Sequence, residues 1–144
     1  MPSGLEVARR AVAAAGLELA TSVAAPAGAA IYDPPMPGRR GQVLLAPGMD
    51  PAEQRLAIWI ALGFHRRGFR GARDEARWLA ERDTARALAL AELLPVALIT
   101  AAVLQGLTVV AAAVALEVPE RALLERLAMV VEPVAVPAEA AEAV

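Results

Sequence analysis

Apolar and polar positions alternate along the chain with two different periods. Helical spacing runs from Ser3 to Ala15, where Ser3 and Glu6 form an S-x-x-E capping box and Gly16 marks the stop. Residues 17–28 are rich in Ala, Pro and Gly and read as a connection. Two short apolar runs follow, "AAIYD" (29–33) and "QVLLAP" (42–47), separated by the turn-rich "PPMPGRRG". They predict two strands of a small antiparallel sheet.

The strongest helix signal lies in "GMDPAEQRLAIWIALGFHRRG". Asp50 stands at the N-cap, Pro51 at the first helical position and Glu53 completes a D-x-x-E box. From Leu56 to Phe64 the helix is apolar on every side, which predicts a central helix buried all round. "HRRGFRGAR" ends it. Further helices are predicted over Asp74–Leu94, stopped by Pro95, and over Val96–Leu104 and Thr108–Leu116. The last helix is "VPERALLERLAMV", with an apolar stripe of Leu123, Leu124, Leu127 and Val130. The tail "EPVAVPAEAAEAV" is low-complexity and predicted to be loose. No internal repeat is visible. The fold class expected is α+β and helix-dominated: one domain over residues 1–131, with five to six helices, then the tail at 132–144.

Composition narrows the chemistry. The 144 residues are 58% hydrophobic but only 3% aromatic, so the core is built from Ala, Leu and Val. All 14 basic residues are Arg, with no Lys, Asn or Cys, the coding bias of a GC-rich prokaryotic genome and compatible with a thermophile. Without Cys, disulfides, thiolate metal sites and thiol nucleophiles are excluded. One histidine, His65, excludes a His-rich metal site. The net charge of −2 gives no strong nucleic-acid signal. No nucleophile elbow and no Gly-rich phosphate loop is present. The N-terminus lacks a basic leader and apolar core, which points to the cytoplasm.

One segment bears on the membrane. From Leu93 to Leu116 there is no charge for 24 residues, enough to span a bilayer. Pro95, the Gln105-Gly106 stop and the capping Thr108 instead predict two buried helices joined by a turn, and the Arg residues do not cluster on one flank. The excess of apolar residues in Val96–Leu116 also raises burial against another chain, such as a homodimer.

The order of these pieces resembles the ImmA/IrrE family of metallopeptidases. The family's central helix carries "AHELGH"; its next helix resembles "EAnxFAaeLLmP"; near the end comes a helix with "RL". This chain offers "QRLAIWIALGFHRRG", "DTARALALAELLP" and "LEVPERALLERL". The resemblance covers about residues 5–130. It implies a zincin-like domain with a small antiparallel sheet. Carried over residue by residue, the first histidine ligand falls on Ile60, the catalytic glutamate on Ala61, the second histidine on Phe64 and the third ligand, a glutamate, on Thr84. All four positions have lost their chemistry. A vacant zincin site is a costly polar cavity, and Ile60, Ala61 and Phe64 would fill it with packed core. The resemblance therefore implies a pseudoenzyme without cofactor or metal, acting by protein binding, with a helix-turn-helix regulator as its implied partner. The alternative is a structural or oligomerising helical domain.

Two further features carry a double reading. His65 is either a helix-end imidazole favoured by the helix dipole or a weak ligand joined by Glu81 or Asp83. Arg66, Arg67, Arg70 and Arg73 surround it. They form either a contact for phosphates or an acidic partner surface, or a solvated loop paired with Asp74, Glu75, Glu81 and Asp83.

Overall fold

The computed structural model describes residues 1–71 and 74–130. Arg73 and the predicted tail at 132–144 lie outside the described residues. The element order is α1 (Gly4–Ala14), β1 (Glu18–Thr21), β2 (Ala30–Asp33), β3 (Gln42–Leu45), α2 (Pro51–Arg66), α3 (Glu75–Leu93), α4 (Val96–Leu104), α5 (Val109–Ala115) and α6 (Glu120–Val130). The chain is α+β and helix-dominated.

Local chemistry sets the helix starts. Ser3 Oγ accepts from the Glu6 N–H at 3.2 Å, Asp50 Oδ1 from Glu53 at 2.9 Å, Asp74 Oδ1 from Arg77 at 2.7 Å and Thr108 Oγ1 from Ala111 at 3.1 Å. Each satisfies an amide that the first turn leaves without a partner. At the end of α4, Gly106 takes φ +69° and the Leu107 N–H reaches back to the Ala102 carbonyl at 3.2 Å.

The sheet corrects the sequence expectation of two antiparallel strands. Its order is β1-β3-β2; β2 and β3 are antiparallel, as expected, but β1 pairs with β3 in parallel. The sheet is mixed. The third strand falls within the segment read as a connection. Its residues Glu18-Leu19-Ala20-Thr21 are mostly exposed, so they carry little of the period-two apolar signal, and their pairing comes from a partner more than twenty positions away.

Helix α2 separates two cores. Its Ala57, Ile58, Ala61 and Leu62 pack with Ala8 and Val12 of α1 and with Val43 and Leu45 of β3. On its other side Leu56 joins Ala89, Leu90 and Leu93 of α3, then Ile99, Ala112, Ala113 and Leu123. Trp59 touches both clusters. Different elements thus cover α2 on different sides, but it is not buried all round as the sequence predicts: Trp59 and Ile60 are only partly buried, because no element packs over the face that carries Ile60.

Two expectations about the later helices are corrected. In α6, Leu123 is buried and Leu127 and Val130 are partly buried, but Leu124 is 49% exposed. Residues 123, 127 and 130 share one face at i, i+4 and i+7, and position 124 is rotated off it. The uncharged stretch does form two helices joined by a turn, but they are not buried. Of α4 only Ile99 is buried, and of α5 only Ala112 and Ala113. A helix apolar all round needs neighbours on every side, and α4 has them on one. Among the described residues no single helix is long and apolar enough to cross a membrane; α3 and α4 reach the length together but bend by 52°.

Candidate functional site

A cleft of about 680 Å³ opens between the outer edge of β2 and the helices. Its floor is one face of α2, carrying Glu53, Leu56, Ala57, Ile60, Ala61 and Phe64. These recur at three- and four-residue intervals, the spacing that places side chains in a row. The far wall is a face of α3 with Trp78, Arg82 and Arg86 one turn apart, together with Asp83. Pro119, Arg121 and Ala122 at the start of α6 close one end.

The near wall is a strand edge. Among the described residues β2 lies at the side of the sheet, paired only with β3. The Ala46 N–H donates to the Ala29 carbonyl at 3.1 Å, next to the Ala30–Leu45 pair. Antiparallel pairing alternates, so the backbone groups of Ala30 and Tyr32 turn away from β3 and toward the cleft. Both residues line it.

Aromatic rings build the other end. Tyr32 stacks on Phe64 with centroids 6.3 Å apart and planes 6° from parallel, and Phe64 meets Phe69 at 5.0 Å. Tyr32 Oη lies 2.7 Å from His65 Nδ1. Burial pushes the Tyr32 phenol above its ordinary pKa, Arg70 opposes the rise and Asp33 adds to it. Across the floor, the Glu53 carboxyl is raised, first by its side-chain hydrogen bond with Asp50, then by burial; Arg121 works the other way.

Helices α2 and α3 approach closely below the cleft. A Cβ built on Gly63 would lie 3.6 Å from the Ala85 carbonyl oxygen and 3.7 Å from its methyl group. Farther along α3, Arg86 grips Glu125 of α6 through Nε and Nη2, at 2.9 and 2.7 Å. This two-pronged pair holds the far wall against α6.

The structure brings Ile60, Ala61 and Phe64 together on the floor and leaves Thr84 off the cleft. Thr84 Oγ1 donates to the Ala80 carbonyl of its own helix at 2.9 Å, while Arg82, Asp83 and Arg86 supply the wall. Nor is the site packed shut. Ala61 and Phe64 are buried, but Ile60 is only partly so and the cleft remains. A methyl group at position 61 fills little volume. The facing walls are a strand edge with outward-facing backbone groups and the arginines of α3, of which Arg86 is drawn off to Glu125.

His65 sits in the last turn of α2, half-buried against Tyr32. Glu81 is engaged elsewhere, with Arg67 at 2.9 Å. Among the described residues no group of three His, Asp or Glu could hold a metal ion. Arg66 pairs with Glu92 at 3.2 Å and lies over the Trp59 ring, and Arg70 donates to the Pro35 carbonyl at 2.7 Å. These arginines thus have partners within the chain. The sequence reading missed Tyr32, Trp78, Arg82 and Arg86. The signal available for the α3 residues was their four-residue spacing; for Tyr32 it was the only tyrosine placed in a predicted strand.

Comparison with protein-family models, with curated proteins and with solved structures gives no match.

Proposed function

We propose that this chain is a catalytically inactive, zincin-like protein of ImmA/IrrE type that acts by binding an extended segment of a protein partner. The observation that carries the reading is the cleft itself: an open strand edge faces a helix whose residues at the ligand and base positions are Ile60, Ala61 and Phe64. A hydrolase needs a base or a metal-bound water beside the scissile carbonyl. At the ligand and base positions this floor offers a branched alkyl group, a methyl and a ring; its one carboxyl, Glu53, is hydrogen-bonded to Asp50 and stands two turns before Ile60. A binding cleft needs what is there instead. Outward-facing amides and carbonyls at Ala30 and Tyr32 can add a strand, and the apolar floor can take alternate side chains of that strand. Arg82 and Asp83 on the far wall, Arg121 at one end and Glu53 on the floor give charged anchors.

The resemblance suggests a helix-turn-helix regulator as the partner. Binding without cleavage would sequester such a regulator or shield it from an active peptidase.

The test uses overlapping fluorescent peptides from helix-turn-helix repressors, with the Ala30→Pro variant as control. Proline at position 30 removes the N–H that points into the cleft and leaves the β3 ladder intact. The expected result is binding by the wild-type chain, at least tenfold weaker in Ala30→Pro, with no peptide hydrolysis and substoichiometric metal after incubation with Zn²⁺ and dialysis. One tightly held metal per chain, or chelator-sensitive hydrolysis, would overturn the reading.

A further inference from the structure

The surface most at odds with a lone chain is the outer face of α4 and α5. Val103 is 67% exposed, Leu104 82%, Val110 58% and Val114 75%. Val96 and Leu107 add to them, with the exposed Ala97, Ala101 and Ala111 between. Residues 96 and 103 lie two turns apart on α4, and 110 and 114 one turn apart on α5. At about 13 Å, α4 is short, and the turn at Gly106 leads directly into α5. Large apolar side chains scattered singly are ordinary on a surface, but six exposed within one short stretch of chain are the mark of an interaction surface.

The charge pattern favours a second copy of this chain. Leu93 to Leu116 holds no ionisable side chain. In a two-fold contact the same patch meets itself, so a charged patch would face its own sign. This one has nothing to repel. The flanking carboxylates are engaged away from it: Glu92 with Arg66, and Glu117 with the Gly4 N–H. A lipid surface fits less well. Helices that lie in a bilayer interface carry Lys or Arg on their flanks, and here the nearest flanking charges along the chain are Glu92 and Glu117.

We infer that the exposed face of α4 and α5 is the surface through which two copies of this chain form a homodimer. The cleft between β2 and α3 is built from other residues, so each copy keeps its own.

Sedimentation equilibrium on the full chain tests this, alongside Val103→Glu and Leu104→Glu. The expected mass is twice 15.0 kDa, and each substitution weakens association at least 100-fold, since it places two like charges in one apolar contact. Both side chains are exposed, so far-UV dichroism and the unfolding midpoint of dilute, monomeric protein stay unchanged. Monomer at all concentrations up to about 100 μM overturns the inference, as does a dimer indifferent to both variants. Monomer that floats with phosphatidylcholine vesicles overturns it in favour of a lipid surface. The Ala30→Pro variant remains dimeric, which separates a failure here from a failure of the cleft.

Discussion

Arg55 holds the backbone of Glu117 while the side chain of Glu117 holds the start of α1. Arg55 Nη1 donates to the carbonyls of Leu116 at 2.8 Å and Glu117 at 3.0 Å. The Glu117 carboxylate accepts the Gly4 N–H at 3.2 and 3.1 Å. One central-helix cation thus closes the end of α5, and the residue it closes caps α1. Arg55 sits deep enough that its Nε is buried with no partner among the described residues, and burial draws its pKa below the ordinary guanidinium value, partly offset by Glu117.

Replacing Arg55→Met therefore removes two charge-assisted bonds to carbonyls that the helix end cannot satisfy itself. The expected loss is about 2 kcal/mol, read as a lower urea midpoint at unchanged slope. A change within experimental error would mean that water replaces the guanidinium without cost.

Glu117 is the only non-glycine residue with positive φ, at +54°, among the described residues. That conformation costs a side chain about 1 kcal/mol. Both Glu117→Ala and Glu117→Gly lose the cap on α1, but only glycine relieves the backbone. The glycine variant should be more stable than the alanine variant by about 1 kcal/mol in thermal or urea unfolding; equal stabilities would refute the strain.

Gly63 separates two outcomes by size. A methyl group there makes ordinary van der Waals contact with Ala85, the nearest atoms lying 3.6–3.8 Å away. Gly63→Ala should be neutral or stabilising by up to ~1 kcal/mol, because glycine is a poor helix former. Gly63→Leu should cost about 1–3 kcal/mol by wedging α2 from α3. Melting curves of the two variants decide it, and a tolerated leucine would show that the contact is not tight.

Tyr32 is the only tyrosine, so its ionisation can be followed alone by tyrosinate absorbance. Its folded pKa is raised above 10.0, chiefly by burial. The folded chain then holds the phenolic proton more tightly than the unfolded chain does. This contribution to stability is fully present below the unfolded value of about 10 and is lost as pH rises through the folded value. The titration midpoint should lie above 10 in native protein and fall back to about 10 in urea. A native midpoint at or below the urea value would remove Tyr32 from the protected end of the cleft.

Much of the fold was legible because it is local. Ser3, Asp50, Asp74 and Thr108 start helices through bonds to amides three residues away, and Pro95 and Gly106 stop them through backbone restrictions of their own. The apolar circumference of α2 announced a central helix, and its face at 60, 61 and 64 follows from a period of 3.6. What depended on distant surfaces was not legible. β1 carries little pattern of its own and becomes a strand only because β3 lies beside it. Thr84 and Arg82 stand two residues apart on one helix, and only the direction from which α2 arrives decides which of them faces the cleft. Sequence predicted α4 and α5 as buried helices; the helices formed and the burial did not, because burial belongs to the surface that covers a side chain. Side-chain period and capping are written in neighbouring residues, and the amino-acid sequence alone determined them; strand pairing, helix rotation and exposure are relations between distant segments, and only the tertiary structure decided them.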